Sequence, residues 1–275
     1  MGKFSGILLA SDFDNTLLNT TLEPVPEISA GNKKALRYFM DNGGRFAIAT
    51  GRALPAFEKF VPQVPMNAPG VICNGAALYD FTAGQYLDTV LLDGRARKLG
   101  QDLLDRYPEL AAEAYHIDNI IHVVRPNATT RRHVHVTHVA VDELPSLLEV
   151  PMPLGKLMFE GERPLLETVK ADMDRQPWAK DYEIFFSADT LLELTAKGAS
   201  KGDMVRRLSK RLGCRWVYCA GDESNDLSML LAADEGFAPA NCAEAVKQSG
   251  VTLVRDVDHD ALANIVEILD QRFPG

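Results

Sequence analysis

Two carboxylates, Asp12 and Asp14, follow directly on the run Ile7 to Ser11, which reads as a buried strand with apolar side chains on both faces. In a parallel sheet, ligands bind outside the carboxyl ends of the strands, so both acids are expected to face that crevice. Neighbouring carboxylates repel and raise one another's pKa unless a cation compensates. Hard oxygen donors of this kind favour magnesium. Taken alone, the Asp-x-Asp spacing is weak: a solvated turn explains it about as often as a site does, and the metal motif of a nucleotide-sugar transferase is another reading.

Three further segments narrow the choice. "IATGR" puts Thr50, Gly51 and Arg52 where a second strand stops, and a hydroxyl beside the free amides of a glycine turn makes an anion cradle. "GDESND" puts Asp222, Asn225 and Asp226 after a later strand, adding carboxylates to the same edge. Lys201, in "GASKG", falls in the first turn of a helix. Each segment has a plain structural reading as a helix start, a cap or a solvated charge. Their joint occurrence at strand and helix ends favours a phosphate and metal site.

Short apolar runs alternate with helical periods in the outer thirds of the chain, the pattern of βαβ units and a parallel sheet. The expected strands are 6–11, 45–50, 70–74, 215–220 and 235–238. Residues 29–42 form a helix with Ala35, Leu36, Phe39 and Met40 on one face and Gly43-Gly44 as its stop. A second helix starts from Ser200 as N-cap and carries Met204, Val205, Leu208 and Leu212 on its apolar stripe. The middle third changes character. Runs 113–117 and 120–124 are expected to pair as antiparallel strands around Asp118-Asn119, followed by a helix at 142–149, a strand at 155–160, a helix at 163–175 and strands at 181–187 and 191–195. The fold class is therefore α/β: a Rossmann-like parallel-sheet core, 1–82 and 197–275, with an inserted α+β cap domain, 83–196.

At 275 residues, 46% apolar and 24% charged, the chain has the composition of an ordinary globular protein. A formal charge of −9 argues against nucleic acid or an anionic membrane as partner, since either needs a positive field. Four cysteines without a paired Cys-x-x-Cys spacing fit free thiols in a reducing compartment, and no apolar run reaches the length of a membrane span; a cytoplasmic location is expected. Oligomeric state is not readable.

With these motifs in order, the chain resembles the haloacid dehalogenase superfamily, most closely its Cof-type members with a large C2-type (IIB) cap. The resemblance rests on Asp12-Phe13-Asp14-Asn15-Thr16-Leu17, Thr50-Gly51-Arg52, Lys201-Gly202 and Gly221-Asp222-Glu223-Ser224-Asn225-Asp226, with Asn74-Gly75-Ala76 and the stretch from Asn241 alongside. Asn15 stands where the family commonly has glycine, and asparagine tolerates the left-handed conformation glycine is used for. The resemblance implies a magnesium-dependent phosphatase of a small phosphorylated metabolite, a sugar phosphate first among them. In that reading Asp12 is the nucleophile that becomes an aspartyl-phosphate, and Asp14 is the general acid and base. Thr50, Gly51 and Asn225 bind the phosphoryl oxygens, and Lys201 neutralises nucleophile and transferring group. Asp12, the Asp14 carbonyl and Asp222 hold the metal, with Asp226 acting through water or as a supporting group. A phosphomutase of the same superfamily and a catalytically silent phospholigand-binding regulator are the alternatives.

In this family the cap closes over the active site and selects the substrate. Five of the six histidines, His116, His122, His133, His135 and His138, fall within 23 residues of the insertion. Read as an extended segment, "RRHVHVTH" puts His133 and His135 on one face, which makes a transition-metal site conceivable; no carboxylate or cysteine has matching spacing, and an exposed cap strand is the simpler reading.

Overall fold

The computed structural model describes residues 2–20, 26–117, 119–137 and 139–274. Its strands are β1 Ile7–Ser11, β2 Arg45–Ile48, β3 Gly70–Ile72, β4 Ala77–Asp80, β5 Gln85–Thr89, β6 Ala111–His116, β7 Ile121–Val124, β8 Val141–Leu144, β9 Leu154–Glu160, β10 Tyr182–Ala188, β11 Leu191–Ala196, β12 Trp216–Ala220, β13 Glu235–Pro239 and β14 Thr252–Val254. The helices are α1 Ala30–Asp41, α2 Leu54–Glu58, α3 Arg95–Arg106, α4 Ala128–Thr137, α5 Arg163–Asp174, α6 Lys201–Leu212, α7 Leu227–Leu230, α8 Glu244–Lys247 and α9 Ala261–Arg272. The chain divides into two compact units: one of residues 1–51, 60–88 and 201–275, the other of residues 52–59 and 89–200.

The first unit is built on a parallel sheet of order β14-β13-β12-β1-β2. Every residue of β1 is buried, as a central strand covered on both faces requires. Helix α1 begins where the Ser29 hydroxyl accepts the Asn32 amide at 3.1 Å, buries Leu36 and Phe39, and ends before Gly43, whose φ of +93° suits glycine. Helix α6 buries Met204, Val205 and Leu208, while Leu212 is half-buried.

The segment at 70–74 departs from the expected parallel strand. A bridge between Ala49 and Val71 joins it to the end of the second parallel strand, while β3 itself pairs antiparallel with β4 in a small sheet β3-β4-β5. The helix-like turn Cys73–Gly75, with Cys73 and Asn74 at positive φ, ends the strand early.

The second unit is a six-stranded sheet of order β10-β11-β9-β6-β7-β8. The hairpin β6–β7 forms in the expected antiparallel sense, with Ala114 opposite His122; Asp118 of its turn lies outside the described residues. One sheet face, with Ala112, Ala114, Leu157, Phe159, Leu192 and Leu194, packs with Leu103 and Leu104 of α3 and with Leu166, Val169 and Met173 of α5.

Two expectations for this unit fail. The stretch 142–149 is not a helix: β8 pairs parallel with β7, and Pro145, which disfavours helical backbone at Leu144, separates it from a short 3₁₀ turn at Leu147–Glu149. The histidine-rich stretch is not extended: residues 128–137 form α4, started by the Asn127 side chain accepting the Thr130 amide at 3.0 Å. His133 and His135 therefore sit on different parts of a helix, the first half-buried and the second exposed; His138 lies outside the described residues. Among the described residues no helix is long and apolar enough to cross a membrane.

Candidate active site

The register of the parallel sheet decides which residues meet. Ser11 pairs with Ala220 on one side and Ile48 on the other, so the next residues of all three strands emerge together at the carboxyl edge. The Asp12 amide donates to the Ala220 carbonyl at 2.8 Å, and the Ala49 amide to the Ser11 carbonyl at 2.8 Å, one residue before Thr50. Asp12, Asp222 and Asp226, all buried, each offer an oxygen such that the three lie within 4.8 Å of one another.

Lys201 joins this group from the first turn of α6. Its Nζ donates to Asp12 Oδ1 and to Asp226 Oδ1, both at 2.6 Å, and the side chain is 1% exposed. Gly202 makes that approach possible: a Cβ there would stand 2.1 Å from the Ser228 carbonyl oxygen. Asp226 also accepts the amides of Asp222 and Glu223 at its Oδ2, each at 3.0 Å, so both of its oxygens are engaged. Asp222 Oδ1 accepts the Thr16 hydroxyl at 2.9 Å.

Asp14 is half-buried in the turn after Asp12, and its carboxylate is outside the close group of three. That turn depends on Asn15 at φ +57°, the left-handed conformation expected for the residue that replaces the family's glycine; the Asn15 carbonyl accepts the Asn241 side chain at 3.1 Å. Thr50 is buried, with its amide on the Val71 carbonyl at 2.8 Å. Gly51 lies against Asn74, whose Oδ1 and Nδ2 would be 2.9 Å from a Cβ at position 51. Asn225 reaches the same place, its Nδ2 donating to Asn74 Oδ1 at 3.0 Å. Two contributors had no role assigned from sequence: Thr16, within the first motif, and Asn74, which ties Gly51 to Asn225.

Charge is unbalanced in this group. Burial pushes the Asp12 carboxyl well above the usual range; Lys201 opposes that, while Asp226 and Asp14 add to it. Burial, then Asp12 and Asp226, push Asp222 higher still. Burial works against the charge on Lys201, but Asp12 and Asp226 outweigh it and hold the ammonium protonated. Three buried carboxylates share one ammonium, and an oxygen-rich, electron-rich pocket of this kind is the donor set a hard divalent cation requires. The residues present therefore fit a magnesium-class ion.

A family model described as haloacid dehalogenase-like hydrolase matches residues 9–266. Among curated relatives, the phosphatase YwpJ of Bacillus subtilis is 26% identical, over 90% of this chain and 95% of its own. The pyridoxal phosphate phosphatase YbhA of Escherichia coli is 24% identical, over 94% of this chain and 97% of its own. Among solved structures, the subclass IIB sugar phosphatase BT4131 superposes with a TM-score of 0.82 at 19% identity, over 95% of this chain and 98% of that one.

Proposed function

Because the chain belongs to the haloacid dehalogenase-like hydrolases, we propose that it is a magnesium-dependent phosphatase of a small phosphorylated metabolite, working through a phosphorylated Asp12. The observation that carries this reading is the placement of Lys201 between Asp12 and Asp226, with Asp222 beside them. A buried ammonium hydrogen-bonded to the Asp12 carboxylate opposes the effect of burial, favouring the anionic form that a nucleophile needs.

In this mechanism an oxygen of Asp12 attacks phosphorus, and the bond from phosphorus to the ester oxygen breaks. Asp14 gives its proton to the departing alkoxide. Asp14 then takes a proton from water, whose oxygen attacks the phosphorus of the aspartyl-phosphate, releasing inorganic phosphate and restoring Asp12. Thr50 and the Gly51 amide bind the phosphoryl oxygens, at a turn that Asn74 and Asn225 brace. Lys201 offsets the charge of nucleophile and phosphoryl group throughout. Asp12, Asp222 and the Asp14 carbonyl would hold a magnesium ion, which supplies positive charge against the repulsion of two anionic reactants. Asp226, with both oxygens already engaged, supports that set as a positioning residue or through water.

A small phosphorylated metabolite as substrate is supported by curated relatives such as a pyridoxal phosphate phosphatase, and a sugar phosphate is the first to test. The free thiols of Cys214, Cys219 and Cys242 support a reducing, cytoplasmic setting. The deciding experiment uses a generic aryl phosphate. Asp12→Asn removes the nucleophile while keeping its shape, and turnover should vanish although magnesium still raises the melting temperature. Near-parental turnover in that variant would end the covalent mechanism.

A further inference from the structure

The inserted unit holds a second group of titratable side chains that the phosphoryl chemistry does not use. On β9, Leu157 and Phe159 enter the apolar core, so the strand's period of two sends Lys156 and Glu160 to the opposite face. The β6–β9 register sets Ala111 against Glu160 and Glu113 against Met158, which puts Glu113 and Glu160 on that face one diagonal step apart. Helix α4 brings His133 to them. Its Nδ1 lies 3.1 Å from Glu113 Oε1 and 3.5 Å from Glu160 Oε1.

Glu113 is 1% exposed and Glu160 0%, and neither carboxylate oxygen of Glu160 has a hydrogen-bond partner among the described residues. A buried acid this weakly partnered, with an imidazole nitrogen 3.5 Å away, is costly. Burial and the charge of Glu113 hold the Glu160 carboxyl above its usual range. Thr130, His133 and Lys156 oppose this, and Lys156 only in part, because its Nζ is engaged with Glu193 at 2.9 Å and lies over the Tyr115 ring at 4.5 Å. Glu113, by contrast, is oriented: the Tyr115 hydroxyl donates to its Oε2 at 2.6 Å and leaves Oε1 toward His133. An outer hydrogen bond fixing the unused oxygen of a carboxylate is the support that metal ligands commonly receive.

The three ligand atoms lie within 4.8 Å of one another. Tetrahedral zinc, bound about 2.0–2.2 Å from nitrogen and oxygen, sets neighbouring ligand atoms roughly 3.4 Å apart. The two distances from His133 bracket that value. We propose that Glu113, His133 and Glu160 form a site for one divalent transition-metal ion of the zinc class, built wholly from the inserted unit, with a fourth position left for water or another donor. An imidazole ligand favours such ions over magnesium. Binding needs an unprotonated Nδ1 on His133, so the ion competes with protons for it. His133 is 23% exposed, which gives the ion a way in.

The test uses the full chain, stripped with chelator and returned to excess magnesium so that the carboxylates of the first unit are occupied. Zinc is then titrated with metal analysis after equilibrium dialysis, and cobalt is titrated by visible absorption. The expected result is one zinc per chain and the intense bands of four-coordinate cobalt. His133→Ala and Glu160→Gln should each weaken zinc binding at least tenfold, and Asp222→Asn should leave it unchanged. If Glu160→Gln fails to fold, His133→Ala, at a partly exposed position, decides alone. Absence of zinc binding, binding that survives in the folded variants, or binding lost in Asp222→Asn would overturn the assignment. None of these outcomes depends on turnover, so they are separate from the phosphatase reading.

Discussion

Replacing Lys201 by methionine tests the electrostatic core of the site. Methionine keeps most of the buried stem but removes the two 2.6 Å hydrogen bonds to Asp12 and Asp226, leaving three buried carboxylates with no ammonium. Each charge-assisted bond contributes about 1.5–3 kcal/mol, and breaking a buried pair costs about 3–5 kcal/mol, so a metal-free loss of about 3–5 kcal/mol is expected near neutral pH. The loss should depend on pH. A carboxyl whose folded pKa is raised binds its proton more tightly in the folded state, so its stability contribution is present at low pH and fades as pH rises through the folded value. Without Lys201 the Asp12 carboxyl moves further up from its parental value of about 7, so the gap between variant and parent opens as pH rises through about 7 and widens above it. Each unit has its own tryptophan, Trp216 in the first and Trp178 in the second, so urea unfolding in a Trp178→Phe background follows the first unit alone. Lys210→Met, at an exposed position on the same helix, is the control and should change stability by no more than about 0.5 kcal/mol. Magnesium should recover part of the Lys201→Met loss. A variant as stable as the control in chelator, at every pH, would refute the charge balance described for this site.

Chelation should stop aryl phosphate hydrolysis, with magnesium restoring it and calcium restoring little, because calcium prefers looser and higher coordination; the readout is phosphate release. Gly202→Ala should cost about 3 kcal/mol in the Trp216-reported unfolding, since the added methyl would stand 2.1 Å from a backbone oxygen that cannot move aside cheaply. For Asp172, burial acts to raise the pKa, but Arg106, Tyr107 and Gln176 together hold it below the usual carboxylate range. Its contribution to the second unit is therefore present above the ordinary aspartate pKa and lost as pH falls through the lowered value, and Asp172→Asn should remove that acid-side slope when Trp178 is followed in a Trp216→Phe background.

The meeting of Asp12, Lys201, Asp222 and Asp226 was legible because each stands at a strand or helix end, and a parallel sheet gathers such ends at one edge. Asn15 was legible for a similar reason, its left-handed φ being what a glycine replacement must supply. What stayed hidden depends on long-range register. Nothing local marks Asn74 as the brace between Gly51 and Asn225, 151 residues later. Thr16 donates to an aspartate 206 residues away. In the inserted unit, the alternation of histidine and valine in "RRHVHVTH" imitates a strand, and the opposing signal, Asn127 three residues before Thr130, is a short cap motif easily outweighed by it. Leu144-Pro145 carried a readable stop inside the stretch 142–149, and local proline chemistry could have found it.

The two groups of buried acids differ in what the fold does with them. In the first unit the excess carboxylates stand at strand ends, where open backbone and a helix start already make a ligand site, and Thr16, Lys201 and the amides of Asp222 and Glu223 take up their hydrogen-bonding capacity. In the second unit Glu113 stands inside β6 and Glu160 is the last residue of β9, on a sheet face where apolar residues would pack at less cost; only Thr130, His133 and Lys156 oppose the effect of burying Glu160. Position at a strand end explains the first group without any appeal to a second ligand. Glu160 also ends its strand, but there it is paired on both sides, with Leu191 and Ala111, so no open sheet edge explains it, and an acid kept at such a position needs a cation that His133 and Lys156 together do not fully supply.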